Sequence, residues 1–361
     1  MTSAIFFTGF PGFIGMRLLP RLLELKPGAR VVCLVQDKFE GVARQSIEAL
    51  EGSYPHLRRR IGLVTGDITT PGLGVDKGEA QDLRGELTEA YHLAAVYDLA
   101  VAREPAHRIN VLGTRHVLEF LDGAARFDRL HYVSTAYVSG NHKGAFHETD
   151  LDVGQGFKNH YEETKFLAEV EVVKSTVPRT IYRPGVVVGD SRTGETGKFD
   201  GPYFVLRAMQ RLPSPGLFIR LGKGDGTVNV VPVDFVVEAL ARLSAADLSR
   251  GKTYHLTDPN PRGPVEIAHM FAKGLGKRFA YVPVPLWLAK GAFAPGPVRR
   301  FLGMPAQALD YFDDAVRHDA TNASADLRAL GLECPALADY VPRLVEFYLR
   351  KRDEVRREAM I

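Results

Sequence analysis

The sequence predicts an α/β fold: a doubly wound parallel sheet with a smaller, mostly helical cap toward the C-terminus. Three observations carry this. Short apolar runs alternate with helically spaced ones through the first half, a glycine cluster follows the first of those runs, and the alternation breaks near residue 190 into glycine- and proline-rich loops. Strand and crossover helix repeated in this way pack as a parallel sheet covered by helices on both faces.

The apolar runs 4–9 (AIFFTG), 30–35 (RVVCLV), 61–67 (IGLVTGD), 90–96 (AYHLAAV), 129–135 (RLHYVST) and 179–189 read as buried strands, and 13–25 and 106–124 as helices between them. Pro20 falls inside the first helix and is expected to kink it. Past the loops at 189–202 and 211–216, the stretch 228–244 returns to the core as a strand end and a helix. The run from Leu337 reads as an amphipathic helix ending in charge. The expected division is a core of 1–190 with 228–258 and a cap of 191–227 with 259–361.

A chain of 361 residues, 45% hydrophobic and 25% charged, can bury a full core, and a formal charge of +3 gives no argument for nucleic acid. Two cysteines, Cys33 and Cys334, indicate neither a disulfide framework nor a zinc site, which fits a reducing compartment. The N-terminus lacks the basic start and small-residue cleavage site of a signal peptide, and no run of about 18 apolar residues occurs, so the expected location is cytoplasmic. The nearest such run, 281–298, is broken by four prolines and Lys290. It is expected to cover an apolar cleft or to touch a membrane surface peripherally.

The first strand runs into TGFPGFIG, with glycines at 9, 12 and 15 and an apolar helix behind them. Glycines placed there permit a sharp turn, close approach of backbone to a pyrophosphate and tight seating of the helix, whose N-terminus faces the phosphate charge. This is a Rossmann-like nucleotide loop, with Thr8, Gly9, Phe10, Gly12, Phe13, Ile14 and Gly15 as its candidate cofactor contacts. Pro11 has no N–H, so phosphate contacts are expected from Phe10, Gly12, Phe13 or Ile14.

The spacing of the three glycines resembles that of the extended short-chain dehydrogenase/reductases. The resemblance implies that Asp67, with Ile68 after it, binds the adenine, and that Leu93, Ala94 and Ala95 in HLAA pass under the cofactor. Asn110, in RINVLGT, matches a family asparagine, for which catalysis and helix packing are both open.

In YEETKFLAE, Tyr161 and Lys165 stand one helical turn apart on one face, and Ser134 and Thr135 end the fifth predicted strand, at the sheet edge where ligands bind. Reduction of a carbonyl needs a proton donor at its oxygen. A tyrosine of pKa about 10 is a slow acid at neutral pH unless a neighbouring cation lowers that value. Tyr161 is therefore read as the general acid, Lys165 as the group that lowers its pKa and holds the nicotinamide ribose, and Thr135 as the hydroxyl that orients the carbonyl, with Ser134 as the competing candidate.

VSTAYVSG, YEETKFLAE and above all YRPGVVVGDSRTGETGKFDGPYF (182–204) resemble bacterial fatty acyl-CoA reductases of the thioester-reducing ("male sterility") group, and the resemblance spans nearly the whole chain. It implies that Arg183, Pro184, Gly185 and Val186 line the nicotinamide pocket and that Asp190, Ser191 and Tyr203 sit where an acyl thioester enters. Arg207, Arg211, Arg220 and Lys223 would meet phosphates of coenzyme A or of a carrier's phosphopantetheine. The implied cofactor is NADPH. The group usually has an arginine just after the second strand, where this chain has Gln36, Asp37 and Lys38, with Arg44 further on; Asp37 suits a ribose diol, so NADH stays open. The implied substrate is acyl-CoA or an acyl carrier protein, with aldehyde or alcohol as product, and a homodimer is usual in the superfamily. Two rival readings remain: an alcohol dehydrogenase or epimerase acting on a sterol-like or sugar-nucleotide ligand, and a non-catalytic NAD(P)-binding sensor.

Overall fold

The computed structural model describes residues 3–221, 226–293, 309–311 and 315–352. Lys223 and the 294–298 end of the apolar run lie outside them. The strands are β1 (Ser3–Thr8), β2 (Ala29–Val35), β3 (Ile61–Thr65), β4 (Leu87–His92), β5 (Arg129–Val133), β6 (Gly144–Phe146), β7 (Arg179–Pro184), β8 (Val186–Val188), β9 (Gly216–Leu221), β10 (Val230–Pro232), β11 (Thr253–Leu256), β12 (Phe279–Val284) and β13 (Val316–His318). Seven of them form one parallel sheet in the order β11-β7-β5-β4-β1-β2-β3. The chain builds outward from β1 through β2 and β3, then returns to β4 on the other side of β1. That reversal opens a crevice between the C-terminal ends of β1 and β4, where ligands bind in sheets of this type.

β1 shows why the sheet is buried on both faces. Its residues alternate sides, and Ile5 and Phe7 enter one apolar cluster while Ala4 and Phe6 enter the other. Helix α1 (Phe13–Leu25) covers the first face through Leu18 and Leu22. It runs as one helix across the buried Pro20, although the proline removes the N–H that the Met16 carbonyl would otherwise receive. The second face packs against Val117 and Leu121, and against Ala168 and Val172 of the helix His160–Lys174.

A separate apolar cluster joins Tyr203, Leu206 and Met209 to Ile267, Phe271, Tyr340, Leu344 and Tyr348. Ala320, Ala323 and Leu327, by contrast, pack into the core cluster beneath the sheet. No described helix is long and apolar enough to cross a membrane.

Candidate active site

The glycine loop is held by contacts that exclude a side chain. Gly9 has φ +92°, and a Cβ there would lie 2.9 Å from the Ala94 nitrogen and the Leu93 carbonyl carbon. A Cβ on Gly12 or Gly15 would lie 2.7 or 2.8 Å from the Gly9 carbonyl oxygen. The three glycines thus fold onto one another and onto the end of β4. The Gly12 N–H donates to Gly9 O at 2.9 Å, so it is already engaged, and Phe10 is buried in the core. Helix α1 begins without a side-chain cap or a first-turn acid. Phe13 and Ile14 therefore keep first-turn N–H groups for an anion.

At the far end of the crevice, Asp67 accepts hydrogen bonds from the Gln36 amide and the Thr69 N–H, each at 2.8 Å. Burial raises its pKa, but the Thr69 and Gln36 donors and the Lys38 charge outweigh this and hold it below the ordinary value. A Cβ on Gly66 would lie 2.4 Å from Leu73 O, which fixes how closely the next loop approaches. Ile68 packs against Gly113 and belongs to the core. Arg44 is paired with Glu40 along an exposed helix, while the Lys38 ammonium stands 4.8 Å from the Phe39 ring at the end of β2.

Beneath the crevice lies a sealed polar floor. Thr8, His92, Asn110, Thr114, Tyr132 and Lys165 are each at most 4% exposed. Asn110 has all of its side-chain groups in use: its oxygen accepts from Val96 N–H (2.9 Å), and its amide donates to Val96 O (3.1 Å) and Thr164 Oγ1 (3.0 Å). This clamp fixes the strand exit containing Leu93, Ala94 and Ala95 against the helix that carries Tyr161.

Thr135 and Tyr161 meet at the sheet edge. Thr135 caps a short turn, accepting from Tyr137 N–H, and its hydroxyl stands near enough to the Tyr161 phenol to lower its pKa. Burial pushes the Tyr161 phenol up to about 12; the Thr135 hydroxyl lowers it and the Glu162 charge raises it. Lys165 does not supply the lowering expected from its spacing. Its ammonium reaches inward to Tyr132 Oη (3.1 Å) and Val133 O (2.9 Å). Burial pulls it down to about 8, against the charge of Glu169.

Ser134 points the other way, donating to Glu169 at 2.5 Å. Glu169 is ion-paired with Arg183, which is 1% exposed and donates to Glu169 at 2.6 and 3.0 Å and to Asp150 O at 2.7 Å. Arg183 is therefore a buried clamp between β7 and the Tyr161 helix, not a wall of an open pocket. Beyond it the chain leaves the main sheet at Pro184 and Gly185, where a Cβ would lie 2.6 Å from Asn229 O, and Val186 N–H donates to that same oxygen.

The three residues expected at the thioester entrance serve as anchors. Asp190 accepts from the Arg192 and Thr193 N–H groups, both at 2.9 Å, and Ser191 is tied to Asp234 through N–H and hydroxyl at 2.8 and 2.6 Å. Tyr203 is 2% exposed, in the apolar cluster with Phe271 and Tyr348. Two residues that the sequence did not single out stand nearer the chemistry. Tyr97 lies close enough to Tyr161 for the charge of one to raise the pKa of the other, and the Lys198 ammonium sits 4.4 Å from the Tyr97 ring. An open cavity of about 640 Å³ is lined by Leu99, Val101, Phe157 and His160.

Comparison with known proteins bears on this geometry. A model of the family described as male sterility protein matches residues 7–240. The chain is 29% identical over 286 residues to the fatty acyl-CoA reductase wat of Drosophila melanogaster, covering 69% of this chain and 55% of that protein. It is 30% identical over 276 residues to a linear gramicidin synthase of Brevibacillus parabrevis, covering 72% and 5% respectively. It is 29% identical over 309 residues to a non-canonical nonribosomal peptide synthetase of Aspergillus campestris, covering 79% and 29%. The chain thus spans about half or less of these relatives. Among solved structures, the terminal R domain from the myxalamid PKS-NRPS biosynthetic pathway superposes with a TM-score of 0.82 at 29% identity, over 97% of this chain and 91% of that one. A UDP-glucuronic acid 4-epimerase from Bacillus cereus, with a TM-score of 0.66 at 19% identity over 97% and 98%, shares the fold.

Proposed function

The chain belongs to the male sterility protein family, and on that premise we propose that it is an NAD(P)H-dependent reductase of acyl thioesters, carried on coenzyme A or on a carrier protein, with an aldehyde as first product. The observation that carries the reading is the Thr135–Tyr161 hydroxyl pair at the sheet edge, in a chain whose glycine loop packs so closely on itself and on the end of β4 that no side chain fits.

The residues present fit a dinucleotide. Phe13 and Ile14 N–H groups and the positive end of α1 would hold the pyrophosphate. Asp67 and Gln36 would meet the adenosine. Lys38, at the end of β2, would meet a 2′-phosphate, which favours NADPH over NADH; Arg44, already paired with Glu40, is the weaker candidate. When bound, the dinucleotide supplies a hydride to the thioester carbonyl carbon.

Thr135 donates to the thioester oxygen and orients it. Tyr161, protonated throughout the neutral range because burial raises its pKa, gives its proton to that oxygen as charge develops there. The resulting hemithioacetal returns the hydroxyl proton to Tyr161 as the carbon–sulfur bond breaks, releasing aldehyde and, after protonation of sulfur, the thiol. Lys165 keeps one of its three N–H groups beyond those held by Tyr132 and Val133, and it supplies the positive charge under the ribose. Tyr97 and Lys198 form the wall that the thioester passes.

The test is oxidation of reduced nicotinamide, followed by its absorbance, on adding long-chain acyl-CoA or acyl-pantetheine. Thioester-dependent oxidation with NADPH preferred supports the reading. Oxidation by ketones or sugar nucleotides but by no thioester overturns it.

A further inference from the structure

Lys165 is held by a residue that the reaction above does not use. We propose that Tyr132 is a positioning residue for Lys165: its hydroxyl oxygen fixes the ammonium at the floor of the site. The inference rests on the role given to Lys165 above and extends it to a side chain in the second layer of the crevice.

The direction of each hydrogen bond follows from its neighbours. The Thr114 hydroxyl donates to Asn110 O at 2.6 Å, so its oxygen can only accept from the remaining partners. Among these is His92 Nε2 at 3.0 Å, and the Thr114 hydroxyl stands near enough to Tyr132 to lower its pKa. At the other end of the ring, Thr8 Oγ1 accepts from Ala94 N–H (3.2 Å) and donates to His92 Nδ1 (2.6 Å). His92 is thereby fixed as the neutral Nε2–H tautomer, and burial and the Lys165 charge hold its pKa at about 3. An ammonium has no lone pair, so the Tyr132 hydroxyl oxygen accepts from Lys165, at 3.1 Å. The ammonium also lies 4.6 Å from the Tyr132 ring, so a phenylalanine would keep the ring and the Val133 carbonyl and lose only the oxygen.

The charged and titratable groups around Lys165 are few. Glu169 lies one turn on along its own helix and is neutralised by Arg183 from β7. His92 comes from β4, Tyr132 from β5, and Tyr161 stands one turn before.

The experiment titrates Lys165 in the cofactor-free chain, using carbon-13-labelled lysine and assigning the resonance by its loss in Lys165→Arg. Wild type is expected to titrate near 8. In Tyr132→Phe the value falls by about one unit, the effect of removing one acceptor from a charged donor, and the alkaline limb of the pH–rate profile falls with it. An unchanged Lys165 titration in a folded Tyr132→Phe chain overturns the proposal, even if activity drops. Should that variant fail to fold, 3-fluorotyrosine in place of Tyr132, which keeps the ring and weakens the oxygen as an acceptor, must lower the Lys165 value; an unchanged value overturns the proposal equally. If wild type reduces no thioester, the proposed reaction fails, and the titration still decides the role of Tyr132.

Discussion

Replacing Arg183 by methionine tests whether the buried clamp, and not the cofactor pocket, is what this arginine serves. The variant leaves the Glu169 carboxylate, 1% exposed, with the Ser134 hydroxyl as its remaining side-chain donor. Removing one partner of a buried ion pair costs about 3–5 kcal/mol, because the other charge stays buried and uncompensated. Unfolding entropy is about 2.1 cal/mol/K per residue, so over 361 residues a loss of roughly 4 kcal/mol lowers Tm by about 5 °C. Urea denaturation followed by far-UV circular dichroism, with a parallel thermal melt, measures both. Arg183→Met with Glu169→Leu removes both charges and is expected to recover at least half of the loss. Cofactor affinity of the folded single variant should stay within about threefold of wild type, since Arg183 has no free donor to offer. A stability loss below about 1 kcal/mol, or a collapse of cofactor affinity with stability intact, would refute the reasoning.

The same structure sets three further outcomes. Gly9→Ala forces a Cβ to 2.9 Å from the β4 backbone at φ +92°; it should cost about 1–3 kcal/mol in strain and weaken dinucleotide binding more than tenfold, both read by fluorescence titration and denaturation. Ser134 and Thr135 should separate cleanly: Thr135→Val lowers kcat by about 10²-fold or more with stability nearly unchanged, whereas Ser134→Ala costs about 1–3 kcal/mol by depriving Glu169 of a donor and retains most of kcat. On the acid side, buried His131 has a folded pKa near 4 against 6.5 when free, because burial outweighs the help of Glu89. The unfolded chain therefore binds more protons between these values, and stability falls as pH drops from 6.5 toward 4, by about 3 kcal/mol from this group. His131→Gln should flatten the urea midpoint over that window; an identical slope in the variant would show that His131 is not the cause.

The strands and the glycine loop were legible because their requirements are local. A buried parallel strand must be apolar on both sides, and a chain folding back on its own carbonyl, as Gly12 and Gly15 do on Gly9, admits no Cβ. The Tyr161–Lys165 spacing correctly put both on one helical face, but it carried no information on which way a long lysine side chain would turn, and Tyr132 captures it. Ser134 and Thr135 could not be told apart by position; alternation along the strand exit sends one to Glu169 and the other to Tyr161. Arg183, Asp190 and Ser191 were placed in the pocket by resemblance, and their actual partners, Glu169, the Arg192 and Thr193 amides and Asp234, are features of folding that a motif does not display. Tyr97 and Lys198 escaped notice because about a hundred residues separate them. The one signal available was a tyrosine directly after the strand exit of HLAAV, followed far along by a lysine in the loop rich in glycine.

Tyr161 as the proton donor in thioester reduction is tested most directly by product analysis. The chain is incubated with long-chain acyl-CoA and NADPH carrying deuterium at the transferred position, wild type beside Tyr161→Phe, and the products are read by mass spectrometry. Wild type should give an aldehyde, or the alcohol derived from it, with deuterium on the former thioester carbon, and a Tyr161→Phe chain that still binds NADPH should give none. Labelled product from Tyr161→Phe at the wild-type rate would contradict the assignment.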